Sequence, residues 1–195
     1  MSGQRWPRAA AVAAAREVCA ALRPVTTRLM VVGSLRRRCA EVGDVDVLYV
    51  PRFEDRQLDM FTTGPMDMSE EVVGGLVLSG VLSKRPRMIG GQPSESFTWG
   101  AQNKLAVHRG GVPVDLLKSK DEDWWNAVVF RTGSEQSNIR IAEAAQARGW
   151  KWNISGSGFA RGGALAGPAE SHAVESEREV FDFVGLPYLE PEERK

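Results

Sequence analysis

The chain has 195 residues, of which 43% are hydrophobic and 26% are charged. This composition is typical of a globular protein with one domain, or with two small subdomains that share a core. No apolar run approaches the ~18 residues that a membrane-spanning helix needs, and the first residues lack the apolar core of a signal peptide. Because 25 acidic residues balance 25 basic ones, the net charge is zero, and we expect any binding to DNA to be weak and salt-sensitive. Basic residues are nevertheless clustered at Arg36–Arg38, Lys84–Arg87 and Arg140–Lys151.

The beginning of the chain predicts a helix followed by two paired strands. Residues 7–22 favour a helix because proline suits its first turn, alanine is the best helix former, and apolar residues recur at helical spacing. Leu29–Val32 is an apolar run that ends at a Gly-Ser turn, which indicates a buried strand. Val45–Val50 is rich in β-branched and aromatic residues and indicates the neighbouring strand.

Two carboxylates stand at the start of this second strand. The period of two along a strand directs Asp44 and Asp46 to one face. Their repulsion would be roughly 4 kcal/mol at ~4 Å in an effective dielectric of about 20, and a bound divalent metal removes it. Carboxylate oxygens are hard ligands that favour magnesium, so the pair predicts a magnesium site.

The turn after the first strand carries groups suited to phosphate. Backbone N–H groups at Gly33-Ser34 can hold a phosphate where the strand ends, and Arg36, Arg37 and Arg38 suit phosphate oxygens. Together with the two carboxylates, this turn points to nucleotidyl transfer. The alternative is a hairpin in which Asp-x-Asp only caps a turn, and the Gly-Ser pair between two apolar strands argues against it.

The middle of the chain has weaker signals. Residues 51–65 are polar with Gly and Pro and predict a loop, whereas residues 84–100 show too little periodicity to assign an element. A helix capped by Asp67 or Ser69 is predicted to run as far as Val81, although adjacent glycines weaken it.

A hairpin with strands over residues 104–108 and 112–117 is predicted next, joined by a Gly-Gly turn. Asp115 is a carboxylate within an apolar strand, where a buried charge needs a partner. The metal predicted at Asp44 and Asp46 would be that partner, the alternative being a plain hydrogen-bonded strand residue. Farther on, Ser134 is a candidate N-cap.

The run Gly33–Arg37 followed by Val42–Leu48 resembles the signature of the nucleotidyltransferase superfamily and, in this longer form, the palm of family X DNA polymerases, the DNA polymerase beta group. Arg5–Arg8 resembles the entry to that palm, and Asp115 falls where the third palm aspartate lies. Residues 124–194 are similar to the adjoining nucleotide-binding subdomain, in which residues 124–131 are helical and Thr132-Gly133-Ser134 precedes an asparagine, here Asn138.

The resemblance implies roles for individual side chains. It implies that the catalytic metal ligands are Asp44, Asp46 and Asp115, and that the nucleotide is bound by Arg5, Gly33, Ser34, Arg37, Gly43, Phe130, Gly133 and Asn138. The sequence also departs from the family pattern. Phe130-Arg131 stands where relatives usually have Tyr-Phe, and Ala142 stands where they have an arginine, so sugar selectivity and the template contact are open.

The fold implied is α+β. Residues 1–120 would form a nucleotidyltransferase palm, a mixed antiparallel sheet with flanking helices, and residues 121–195 a small C-terminal α/β subdomain equivalent to thumb or fingers. Before the palm there is no room for the lyase domain or the helix-hairpin-helix elements that larger relatives carry, so a minimal form of the family is expected.

The function implied is a DNA polymerase that uses two Mg²⁺ ions, with Mn²⁺ as a substitute, to add dNMP from a dNTP to a primer 3′-hydroxyl in gap-filling or end repair. Its partners would be primer/template DNA and dNTP, with no membrane, and it would act as a monomer that a repair protein could recruit. Cys19 and Cys39 fit a reducing compartment, so we expect the cytoplasm, at the nucleoid or in a virus- or phage-infected cell.

Two other functions stay open at this point. The same fold could serve a template-independent nucleotidyltransferase, or one that modifies RNA, a small molecule or a protein, which the zero net charge would suit. The second possible function is that of a non-catalytic accessory module that binds nucleic acid, although such a module would not require three carboxylates.

Overall fold

A computed structural model describes residues 4–57, 62–162 and 169–194. Within these ranges the helices are α1 (Arg8–Leu22), α2 (Gly33–Arg36), α3 (Met68–Leu78), α4 (Trp124–Thr132), α5 (Glu135–Ala147) and α6 (Glu177–Phe183). The strands are β1 (Trp6–Pro7), β2 (Thr26–Val31), β3 (Glu41–Val42), β4 (Val45–Pro51), β5 (Phe53–Gln57), β6 (Thr63–Asp67), β7 (Leu82–Lys84), β8 (Pro86–Ile89), β9 (Gln92–Phe97), β10 (Asn103–His108), β11 (Pro113–Lys118), β12 (Lys151–Asn153), β13 (Gly158–Arg161) and β14 (Glu170–Ala173). The fold is α+β, as predicted.

The chain divides into two compact units. The first comprises Met1–Val31 and Ala40–Lys118, and the second Val32–Cys39 and Ser119–Lys195. Helix α2, which follows β2 directly in the sequence, therefore has its contacts in the second unit. None of the helices in the described ranges has both the length and the apolar character needed to span a membrane.

A mixed five-stranded sheet in the order β2-β4-β11-β10-β7 is the centre of the first unit. Strands β4 and β11 are parallel, whereas the other neighbouring pairs are antiparallel. The alanine-rich helix α1 packs on β2 and β4, and Val18 and Leu22 of the helix are fully buried, as is Val47 of β4. The interior strand β4 is buried along nearly its whole length, in agreement with its apolar run after Asp46.

Several predicted elements are confirmed and others are wrong. The structure contains the helix predicted over residues 7–22, as α1. It also contains the two strands predicted at Leu29–Val32 and Val45–Val50, as β2 and β4, and the predicted hairpin, as β10 and β11. Helix α3 begins as predicted, with the Asp67 carboxylate accepting from the backbone N–H of Ser69 at 2.8 Å. It ends at Leu78, short of the predicted Val81, because Gly80 at φ +74° terminates the helix.

The loop predicted over residues 51–65 is wrong in the part that the structure describes, since β5 and β6 pair there as an antiparallel hairpin. Residues 58–61 lie outside the described ranges. A second hairpin, β8 and β9, occupies residues 84–100, where no element was predicted. Both hairpins are largely exposed, so they lack the alternation of apolar and polar residues that reveals a half-buried strand.

The second unit packs α4, α5 and α6 with a three-stranded antiparallel sheet of β12, β13 and β14. Its core includes Val129, Ile141 and Phe181. Aromatic rings extend this core, with Phe159 stacked on Phe183 at 4.6 Å between centroids. The predicted cap is confirmed, because the Ser134 hydroxyl accepts from the N–H of Ser137 at 3.3 Å.

Candidate active site

Strands β4 and β11 place two of the predicted carboxylates side by side. Asp46 and Asp115 are register partners in the parallel ladder, and neighbouring strands lie about 4.8 Å apart. Residues matched across such a ladder project to the same face of the sheet. The flanking Val45 and Val47 are fully buried, whereas both aspartates are half-buried, so the carboxylates are more accessible than the valines beside them.

Asp44 immediately precedes β4 and is also half-buried. It lies two residues before Asp46, in the segment that leads into β4. Among the described residues, no three His, Cys, Asp or Glu side chains form a group that could hold a metal ion as they stand. Three hard carboxylate donors nevertheless have the chemistry that Mg²⁺ prefers, and a shared metal at the three aspartates stays a prediction.

An arginine contacts this carboxylate face. The guanidinium of Arg85 donates to the Asp115 carboxylate at 2.7 Å. Sequence reasoning placed Arg85 only in a basic cluster between Lys84 and Arg87, because no local pattern links it to an aspartate on a different strand.

Arg5, predicted to reach the triphosphate, lies at the edge of the first unit. The short strands β1 and β3 pair through Trp6 and Val42, which brings the preceding Arg5 close to Gly43. A guanidinium nitrogen of Arg5 is 3.8 Å from the point that a Cβ on Gly43 would occupy. Arg5 is exposed, so its guanidinium can reach solvent and a ligand.

In the second unit, the predicted phosphate-binding turn is helix α2. Gly33 begins it at φ +65°, a left-handed conformation that favours glycine. Ser34 is half-buried, and its carbonyl accepts from the N–H of Cys39 at 3.1 Å. Arg37 donates to the backbone carbonyl of Thr132, so this arginine links α2 to the end of α4.

A buried charge network lies beside this turn and was missed by the sequence analysis. Glu177 accepts from both nitrogens of Arg36 and, at 2.8 Å, from Arg194, and Arg36 also donates to the Thr132 hydroxyl at 2.8 Å. The side chain of Arg194 is 0% exposed. Burial raises the pKa of the Glu177 carboxyl, but hydrogen bonds and charges from Arg36 and then Arg194 outweigh it and hold this pKa below its usual range.

The predicted nucleoside-binding residues are neighbours in the same unit. Gly133 follows α4 at φ +65°, and its peptide bond to Ser134 is cis. The amide nitrogen of Asn138 donates to the carbonyl of Phe130 at 2.9 Å. Its amide oxygen is buried and has no hydrogen-bond partner among the described residues. This oxygen can therefore accept a hydrogen bond from a ligand or from a water molecule.

The ring of Phe130 is held edge-on against Trp152, with centroids 5.9 Å apart. Arg131, which departs from the family pattern, places its guanidinium carbon 5.4 Å from the centre of the Phe130 ring. The Phe130 ring therefore has one aromatic contact and one cationic contact.

Comparison with known proteins gives one family relationship. Residues 127–195 match the family model of the DNA polymerase beta thumb, a segment that covers most of the second unit. No curated protein matches the chain significantly. The thumb match supports a relationship to the DNA polymerase beta-like, or family X, polymerases.

Proposed function

We propose that this chain is a magnesium-dependent DNA polymerase of the family X type, which adds dNMP from a dNTP to a primer 3′-hydroxyl in gap-filling or end repair. One observation carries the proposal: Asp46 and Asp115 are register partners on parallel strands, with Asp44 two residues away. The thumb match over residues 127–195 supports the same assignment.

The three aspartates would be the metal ligands. Two divalent ions about 3.5–4 Å apart supply charge stabilisation for the attacking and leaving oxygens of a phosphoryl transfer. Asp44 and Asp46 would be ligands of both ions, and Asp115 would be a further ligand of the ion on the primer side. Because the strands set the spacing of Asp46 and Asp115, little reorganisation of the backbone would be required.

The other predicted residues would bind the nucleotide. In the first unit, Arg5 would bind phosphate oxygens, and Gly43 would allow the backbone to approach them. In the second unit, Ser34 and Arg37 would bind phosphate oxygens, and Gly33 would allow a close approach of the backbone. Phe130, Gly133 and Asn138, also of the second unit, would contact the sugar and the base. Phe130 can exclude a ribose 2′-hydroxyl sterically, although it lacks the phenol oxygen that the family usually has at this position.

Primer extension tests the proposal on gapped, recessed and blunt DNA with Mg²⁺ and with either dNTPs or NTPs. We expect extension by the wild-type chain and a loss on the order of 10³-fold for Asp115→Asn. Asp55→Asn, an exposed aspartate on β5, is the matched control and should extend at the wild-type rate. Extension by Asp115→Asn at the wild-type rate would contradict the metal assignment.

The zero net charge favours a second candidate, a nucleotidyltransferase that uses an acceptor other than duplex DNA. The same assay separates the two when single-stranded RNA and a template-free primer are included as acceptors. Transfer to these acceptors without extension of gapped DNA would support the second candidate. Isothermal titration that detects no magnesium–nucleotide binding would instead support a non-catalytic DNA-binding module.

A further inference from the structure

Arg85 belongs to a basic cluster to which the proposed polymerase chemistry assigns no role. Its guanidinium nitrogen is 2.7 Å from the Asp115 carboxylate oxygen Oδ1. The two side chains are 27% and 17% exposed, so the pair is partly shielded from water. Such a pair interacts more strongly than an ion pair on the open surface.

The backbone hydrogen bonds of the sheet determine where Arg85 lies. Its N–H donates to the carbonyl of Leu105 at 2.9 Å, and Leu105 is the register partner of Asp115 in the β10–β11 ladder. Arg85, which directly follows β7, therefore lies across β10 from Asp115 in the same row of the sheet. The backbone pairing thus places the two residues where their side chains can meet.

Three other basic residues of the first unit have different partners. Lys104 on β10 contacts Glu70 at 2.8 Å, and Lys118 on β11 contacts Asp67 at 2.6 Å. Arg87, two residues after Arg85, donates to the Thr98 hydroxyl at 3.0 Å. Of these four basic residues, Arg85 is the one whose positive charge lies on a predicted metal ligand.

We propose that Arg85 is a positioning residue that serves as the counter-ion of Asp115 and competes there with the divalent cation, so that it sets the affinity of the metal site. The inference rests on the proposed function, because it takes Asp115 as a metal ligand. A positive charge held against one carboxylate oxygen opposes the approach of a second cation. Without metal, the same charge offsets the repulsion between Asp115 and Asp46.

The test measures Mn²⁺ binding to the full chain by isothermal titration, with no nucleotide and no DNA. Arg85→Gln should bind Mn²⁺ about tenfold more tightly than the wild type, because a repelling charge is removed. Arg87→Gln is the matched control and should bind like the wild type. Arg85→Met, which also removes the charge and keeps an unbranched side chain, gives the same comparison if Arg85→Gln fails to fold.

Thermal unfolding provides a readout that does not depend on catalysis. In the presence of a chelator, Arg85→Gln should have a lower Tm than the wild type, because Asp46 and Asp115 then repel each other. Saturating Mn²⁺ should narrow this difference, because a ligand that binds only the folded state stabilises it. A decrease in Tm that Mn²⁺ leaves unchanged would indicate a merely structural ion pair and overturn the proposal.

Asp115→Asn separates this inference from the proposed function. If Asp115→Asn weakens Mn²⁺ binding while Arg85→Gln and Arg85→Met bind like the wild type, the metal site stands and the role of Arg85 is wrong. If Asp115→Asn binds Mn²⁺ as tightly as the wild type, the metal assignment fails and the role of Arg85 fails with it. Tighter binding by Arg85→Gln that disappears when Asp115→Asn is added supports both.

Discussion

Asp115 on β11 is the register partner of Asp46 on β4, and the two strands run parallel. Parallel neighbours cannot be joined by a tight turn, so the chain must pass through other elements before the second carboxylate is placed. The pairing brings together two acids from distant parts of the sequence on one sheet face. Like charges directly opposite each other destabilise a sheet. Two facing aspartates are therefore expected where they bind a ligand, because they do not stabilise the fold by themselves.

Asp46→Asn should abolish primer extension and weaken Mn²⁺ binding, because it removes one of the two facing carboxylates that would hold the metal. Primer extension on gapped DNA and isothermal titration with Mn²⁺ measure the two effects, and the exposed Asp55→Asn is the control. Mn²⁺ binding by Asp46→Asn as tight as that of the wild type would remove Asp46 from the proposed metal site.

Glu177→Gln should destabilise the protein strongly. The substitution leaves Arg194, whose side chain is fully buried, without its charged partner, and removing one member of a buried ion pair costs about 3–5 kcal/mol. The exposed pair of Arg161 and Glu170 offers the control, since Glu170→Gln should cost less than about 1 kcal/mol. Urea unfolding followed by circular dichroism compares the two variants, and equal effects would contradict the prediction.

The same carboxylate should make stability depend on pH. The pKa of Glu177 is lowered in the folded state from an ordinary value of 4.5, so its contribution is fully present above that value. It is lost as the pH falls below 4.5 through the lowered folded-state pKa, because the unfolded chain then binds the proton more tightly. The difference in unfolding free energy between wild type and Glu177→Gln should therefore shrink between pH 7 and pH 3. A constant difference would show that Glu177 does not titrate as described.

Gly133→Ala should be destabilising, whereas Gly75→Ala should be stabilising. Gly133 has φ +65° and ψ −156°, a region almost confined to glycine that costs other residues about 1–3 kcal/mol. A Cβ there would also lie 3.1 Å from an Arg37 nitrogen. Gly75 lies within helix α3, and apart from its chain neighbours and the backbone of the helix, no atom of the described residues lies within 4 Å of a new Cβ. Alanine should therefore raise the free energy of unfolding by about 0.5–1 kcal/mol.

Both glycine variants can be compared by urea unfolding and by titration with a dNTP in the presence of Mg²⁺. If the turn at Gly133 binds the sugar as proposed, Gly133→Ala should weaken nucleotide binding and Gly75→Ala should leave it unchanged. Unaltered binding by a folded Gly133→Ala protein would remove this turn from the proposed site.

Local signals in the sequence were sufficient for the elements that are buried on one side or capped by a side chain. Helix α1 follows from alanine content and helical spacing, β4 from its β-branched run, and the start of α5 from Ser134, because each of these signals acts within a few residues. The exposed hairpins β5–β6 and β8–β9 carry no such pattern, since backbone pairing alone defines strands with two solvated faces. They were therefore mispredicted or left unassigned.

The sequence by itself determined the types of chemistry available, namely carboxylates beside an apolar strand, a Gly-Ser turn followed by arginines, and a turn before Asn138. Only the tertiary structure decided which of these groups meet. The register of Asp46 with Asp115, the contact of Arg85 with Asp115 and the burial of Glu177 between Arg36 and Arg194 all join residues far apart in the chain. Such pairings depend on strand order and on the packing of whole elements, and no local spacing encodes them.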